Sequence, residues 1–223
     1  MNDLLMARYI RLVATVLGIR QRPQEYDSLR QQINQRIKTL RLGDPEAYYN
    51  LLITDPPTSQ SQAEWQKLVQ ALTTTETYFF RDRNQFSLLR DDILPDLIDA
   101  KRRQAMGQGQ APSLRIWSVG CATGEEAYSL AILLHELLAD YDCWDVQIVG
   151  TDINQQAIQQ AQSGIYTDES FRATTPDFQR RYFRRQWDSW LINPEIHQLV
   201  TFQPGNLVRL NAAVPMVYST PQH

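Results

Sequence analysis

Residues 114–163 constrain this chain more than any other stretch of it. Leu114-Arg115-Ile116-Trp117-Ser118-Val119 reads as a strand and Gly120-Cys121-Ala122-Thr123-Gly124 as a tight loop. Residues 125–138 read as a helix in which Leu130, Leu133, Leu134, Leu137 and Leu138 are apolar. Val146-Gln147-Ile148-Val149-Gly150-Thr151 reads as a second strand with Asp152 at its end, and Asn154 can cap a helix running to about Ser163. Strand, glycine loop, helix, strand, acidic residue is the first βαβ unit of a parallel, nucleotide-binding sheet. Such sheets bind ligands outside the carboxyl ends of their strands, which makes Gly120, Gly124 and Asp152 the first candidates for a site. The glycines alone are a weak signal, because a GxxxG turn joins strand to helix in many folds. Asp152 lies 28 positions after Gly124, where ribose hydroxyls are bound, and that strengthens it.

The loop also separates classes of ligand. A dinucleotide fingerprint reads GxGxxG, whereas here the sequence is Gly120-Cys121-Ala122-Thr123-Gly124-Glu125-Glu126. Two carboxylates at the helix start repel a pyrophosphate. They suit a ligand with a cationic end and no phosphate, and S-adenosylmethionine, with its α-ammonium and sulfonium, is such a ligand. One of the two glutamates is also expected to complement the helix dipole. The pattern therefore argues for a methyltransferase over an NAD-type oxidoreductase.

Composition narrows the field further. A net charge of −3 and a pI of about 5.6 argue against a general nucleic-acid binder. Two cysteines, Cys121 and Cys143, form no CxxC pair and have no histidine cluster nearby, so no metal is expected. Arg8 and Arg11 interrupt the apolar N-terminal stretch, which is too short to span a membrane and lacks the order of a signal peptide. A cytoplasmic protein without membrane insertion, and a monomer, is expected.

Upstream, residues 1–70 read as a small helical domain. Leu29, Ile33, Ile37 and Leu40 form one helix stripe, with Gly43 as its stop and Asp44-Pro45 opening the next helix. Ser61 and Glu64 have the spacing of a capping box. Arg30, Lys38 and Arg41 lie beside the apolar stripe, on a face that is either simply solvated or suited to an acidic partner. Residues 71–113 bridge to the α/β domain, with Thr73 to Thr77 as a loop and a helix from about Asn84 to Arg103. Residues 114–223 are expected to form the Rossmann-like domain, with an antiparallel β-subdomain at about 175–203. There, residues 182–185 and 199–202 read as strands flanking a turn near Asn193-Pro194. No periodicity is evident from 208 onward.

The segment from Gly120 to Ser129 resembles the cofactor motif of the CheR methyltransferases. Thr75-Glu76-Thr77-Tyr78-Phe79-Phe80-Arg81-Asp82, with Phe86 following, resembles that family's TxxTxFFR-type motif. Gly150 to Asn154, Ser163 to Tyr166, Arg181-Tyr182-Phe183 and Gly205-Asn206-Leu207 resemble it too. The resemblance implies a helical N-terminal domain joined to a Rossmann-like S-adenosylmethionine methyltransferase domain. Around the cofactor it places Thr75, Thr77, Arg81, one or both of Glu125 and Glu126, Asp152, Asn206 and Leu207, beside the Gly120 loop. The family pattern often has Asn where this chain has Thr75. Arg81 is the candidate for orienting charged partners during the reaction, since a guanidinium holds a carboxylate bidentately.

The implied activity is transfer of a methyl group to glutamate side chains on the cytoplasmic helices of chemoreceptors, the implied partners. The family's pattern continues after Asn206-Leu207 through a further strand to an RNxxIYF-like motif that is not present here. The α/β domain is accordingly expected to be incomplete. Apolar faces of strand 114–119 and helix 125–138 would then be partly uncovered, and the alternative is a catalytically dead fragment that only binds receptor or cofactor.

Overall fold

The computed structural model describes residues 1–208; the stretch without periodicity lies almost wholly outside the described residues. The chain divides into two units, one made of residues 1–74 with the segment from Gly205 onward, the other Thr75–Pro204.

In the first unit, α1 (Asp3–Leu17), α2 (Tyr26–Thr39), α3 (Pro45–Leu52) and α4 (Ser59–Leu72) are the helices among the described residues. The stripe of α2 is buried at Leu29, Ile33 and Ile37, in a core with Tyr9, Tyr48 and Leu68. Asp44 caps α3 as its sequence implies, accepting from the Ala47 N–H at 2.8 Å, with Pro45 at the first helical position. Two local expectations fail. Helix α2 stops at Thr39, ahead of Gly43, because Arg41 itself takes the left-handed conformation (φ 54°) and the Leu42 N–H turns back to the Ile37 carbonyl.

The second failure concerns Glu64. Helix α4 starts at Ser59 with Thr58 as its cap, so Glu64 closes no capping box. Its carboxylate is buried and grips Arg36 through two hydrogen bonds, to Nε at 2.9 Å and Nη2 at 2.7 Å, while accepting from the Tyr48 hydroxyl at 3.2 Å. A carboxylate leaves water only when paired and hydrogen-bonded, and this one joins α2, α3 and α4. Removing one partner strands the other charge. Glu64→Ala should lower unfolding stability by about 3 kcal/mol, somewhat less than for a fully buried pair because one edge of Arg36 reaches solvent. Arg36→Met with Glu64→Leu should recover most of that in denaturant titrations, and a double variant no better than the single one would refute the pairing argument.

In the second unit, α5 (Arg83–Leu88) runs through one wide π turn (Leu89–Ile93) into α6 (Leu94–Gln108). The widening falls just before Pro95, which has no N–H for the regular ladder. There follow β1 (Ser113–Val119), α7 (Glu125–Leu137), β2 (Asp145–Asp152), α8 (Gln155–Ser163) and β3 (Ile165–Tyr166). Then come α9 (Pro176–Tyr182), β4 (Phe183–Gln186), β5 (Ser189–Ile192), α10 (Pro194–His197) and β6 (Val200–Pro204).

Strands β1, β2 and β6 form a parallel sheet in that order, with Val119 opposite Thr151 and Asp152 opposite Pro204. Helices α7 and α8 pack on β2 and β6, and α6 packs on β1. Among the described residues β1 has one ladder partner, and its Trp117 and Val119 are 41% and 42% exposed. A second, antiparallel sheet has the order β3-β5-β4. Residues 199–202 do not join it: the strand partner of β4 is β5, reached through a tight turn at Trp187 (φ 53°), and Asn193-Pro194 opens α10. Strand β6 instead extends the parallel sheet, where Val200 and Phe202 are buried. A helical unit and an α/β unit with a small antiparallel sheet make up the fold class expected from the sequence. No helix among the described residues is long and apolar enough to cross a membrane.

Candidate cofactor and active site

The site in the second unit is built where β1 and β2 end. The Thr151 carbonyl accepts from the N–H groups of both Gly120 (2.8 Å) and Cys121 (3.0 Å), which folds the loop back over β2. Gly120 (φ 71°), Ala122 (φ 47°) and Gly124 (φ 95°) are all left-handed. A Cβ added at Gly120 would meet open space, so the backbone there is bare and open to close approach. Asp152 stands at the end of β2, half-buried. One carboxylate oxygen accepts from the Ala122 N–H at 2.9 Å and the other from the Asn154 N–H at 2.7 Å. Each oxygen keeps a lone pair, so Asp152 can brace the loop and still accept from a ribose hydroxyl. The nearby Cys121 thiol is buried and pushed up to about 12 by burial and by the Asp152 charge, which excludes it as a nucleophile near neutral pH.

The two adjacent glutamates point different ways. Glu126 is exposed and accepts from the Ser118 hydroxyl at 2.7 Å, at the end of β1. Glu125 is 2% exposed, and its oxygens accept from Thr123 Oγ1 (2.6 Å) and Ser170 Oγ (2.9 Å). Burial raises the Glu125 pKa above the ordinary carboxylate range, against the lowering by these hydrogen bonds. Of the two carboxylates, only that of Glu126 is open to solvent.

Segment 75–81 hangs from the same helix. Phe79 is fully buried, its ring against Tyr166, Phe171 and Phe183, and its N–H donates to the Ser170 carbonyl. Phe80, left-handed at φ 55°, donates its N–H to Ser129 Oγ at 3.1 Å. Arg81 therefore emerges at the surface with its Nη1 on the Glu76 carbonyl at 2.8 Å. Thr75 is exposed and Thr77 half-buried in the loop before it.

Asn206 and Leu207 belong to the first unit. There the Asn206 amide donates to the Val16 carbonyl at the end of α1 (2.8 Å) and accepts from the Val208 N–H, while Leu207 is largely exposed. Sequence reasoning passed over Ser118, Ser129 and Ser170, whose hydroxyls hold the two glutamates and the Phe80 N–H. Serines on helices and loops give no signal of this without the partners in view.

A bare left-handed glycine, an acid at the end of the second strand and an exposed glutamate at the helix start together fit S-adenosylmethionine, whose ribose and ammonium need those groups. The comparisons with known proteins give the same class. The family model described as "CheR methyltransferase, SAM binding domain" matches residues 75–217. The "Chemotaxis protein methyltransferase" of Escherichia coli (strain K12) is 30% identical over 220 residues, 96% of this chain and 70% of that protein. The "Chemotaxis protein methyltransferase" of Klebsiella aerogenes is 29% identical over 219 residues, 96% of this chain and 69% of that protein. The "Chemotaxis protein methyltransferase 2" of Pseudomonas aeruginosa is 35% identical over 187 residues, 82% of this chain and 60% of that protein. Residues 75–217 thus match a methyltransferase cofactor domain, with S-adenosylmethionine as the methyl donor. The chain belongs to the CheR methyltransferase family.

Asp152→Ala removes the acceptor of two backbone N–H groups. It should lower stability by roughly 1–3 kcal/mol and weaken cofactor binding, with Asp152→Asn between it and the parent. Unchanged cofactor affinity by calorimetry would take Asp152 out of the site.

Glu125 gives a pH test. Its folded pKa lies above its unfolded value, so the folded state holds the proton longer and stability falls as pH rises from about 4.5 through the raised value. Glu125→Gln lacks that titration, so its stability relative to the parent should climb over the same rise in pH. A parallel pair of curves would contradict the burial argument.

Proposed function

We propose that the chain transfers a methyl group from S-adenosylmethionine to glutamate side chains on the cytoplasmic helices of chemoreceptors. The observation that carries this reading is Arg81. It is an exposed guanidinium that follows the buried Phe79 and the half-buried Phe80, in the unit that also holds the glycine loop, Glu126 and Asp152. The similarity to chemotaxis protein methyltransferases supports a substrate in chemotaxis.

When bound, the cofactor supplies a methyl group on a positively charged sulfur. In this reading the open Gly120 backbone and the Asp152 carboxylate hold its ribose end, and Glu126 meets its ammonium. Thr75 and Thr77 are proposed as further cofactor contacts. A glutamate side chain with a pKa of about 4.3 is already ionised near neutral pH, so no strong general base is required. The protein's work is to align the acceptor oxygen and to exclude water. Arg81, with donors left beyond the Glu76 carbonyl, orients a carboxylate.

Arg81→Ala should cut methyl incorporation into a receptor peptide by roughly a hundredfold, in the range lost when a positioning contact is removed, with little change in thermal stability. Arg81→Lys should restore little, since an ammonium lacks the planar fork. Equal rates for Arg and Lys would mean that Arg81 acts only as a diffuse charge.

A further inference from the structure

At the start of α5 the second unit has a cavity of about 680 Å³ that includes no residue of the glycine loop or of β2. Its wall carries three arginines, Arg81, Arg83 and Arg172, together with Tyr78, Asn84 and Gln85. The arginines are in different states. Arg172 is neutralised, bridging Glu76 at 2.9 Å and also pairing with Glu169, with its guanidinium 4.0 Å over the Tyr78 ring. Arg81 and Arg83 make no ion pair among the described residues. Their recorded hydrogen bonds go to the carbonyls of Glu76 (2.8 Å) and Ala173 (2.6 Å), which fix each guanidinium while leaving its charge uncompensated and other N–H donors unused. One exposed acid, Asp82, also lines the cavity.

We propose that this cavity is an anion subsite, built around Arg83, that takes a carboxylate flanking the acceptor glutamate on an acidic polypeptide. The proposal rests on the substrate reading above. Two fixed forks without an ion-pair partner among the described residues match planar carboxylates, and Asn84 and Gln85 in the wall carry amide donors. Asp82, Glu76 and Glu169 lie close enough to disfavour a multiply charged phosphate far more than a single carboxylate. The cavity is also larger than one side chain fills, so it admits a stretch of chain. Arg81 then orients the acceptor and Arg83 reads its neighbour, which would make the enzyme selective for glutamates set among other acids.

The test is calorimetric titration of the 223-residue chain with two synthetic peptides. One has an acceptor glutamate flanked by two glutamates; the other carries glutamines at the flanking positions. The unmodified chain should bind the first about tenfold more tightly, the size expected of a partly exposed charge-assisted contact. Arg83→Gln should erase that preference while leaving affinity for S-adenosylmethionine unchanged, and Arg83→Lys should restore part of it. Equal binding of the two peptides, binding of neither, or an Arg83→Gln loss shared by both would overturn the subsite. The two-peptide comparison on the unmodified chain decides the matter even if the variant folds poorly. Methyl incorporation measured in parallel separates the two readings: preference without transfer sinks the assigned reaction and keeps the subsite, and transfer without preference does the reverse.

Discussion

A side chain at residue 124 would have nowhere to go. A Cβ on Gly124 would stand 2.8 Å from the Ala161 Cβ, 3.0 Å from Phe202 Cζ and 3.1 Å from the Tyr166 hydroxyl, in a backbone conformation (φ 95°) that side chains resist. At this point the start of α7, the end of α8, strand β3 and strand β6 come together. Phe202 is the shared contact, because it also lies over Gly150, where a Cβ would come within 2.5 Å of its ring. The two glycines make a hollow and Phe202 fills it, which holds β6 beside β2 and sets the carboxyl ends of the strands at one level. The Tyr166 hydroxyl closes the joint by donating to the Thr123 carbonyl at 2.9 Å. Every feature of the cofactor site, from the Thr151 bonds to the Asp152 brace, presupposes this close approach.

Much of this was legible in sequence because it is local. The alternation of β1 and β2, the helical spacing of α7, Asp44 and Asn154 as caps, and the acid at the end of β2 are decided by residues a few positions apart. What was not legible falls into two physical kinds. The first is backbone that ignores residue preference. Arg41, Trp187, Phe80 and Ala122 are left-handed without being glycine, so the end of α2 and the turn of the β4–β5 hairpin carry no glycine signal. With that turn invisible in the sequence, residues 182–185 read as paired across Asn193-Pro194 with 199–202 instead of with 189–192. The second kind is a partner distant in sequence. Ser61 and Glu64 have the spacing of a capping box, yet Glu64 is claimed by Arg36, 28 positions away. The Asn206 amide likewise donates to the Val16 carbonyl, 190 positions away, a bond that no local pattern announces.

The paired glutamates show how one step along a helix separates two jobs. Neighbouring residues project about 100° apart at 3.6 residues per turn, so Glu126 can face the ligand side only if Glu125 faces the core. A buried carboxylate must find donors, and Glu125 finds Thr123 in the glycine loop and Ser170 in the segment before α9. Ser170 in turn gives its carbonyl to the Phe79 N–H. One turn further along α7, Ser129 receives the Phe80 N–H and donates to the Glu125 carbonyl at 2.6 Å. The segment ending in Arg81 is therefore suspended from the helix whose first turn carries the glycine loop. Methyl transfer demands that donor and acceptor be aligned to a fraction of an ångström. In this chain the groups proposed for the two sides of the reaction are referred to a single rigid element, and the desolvated carboxylate of Glu125 is the link between them.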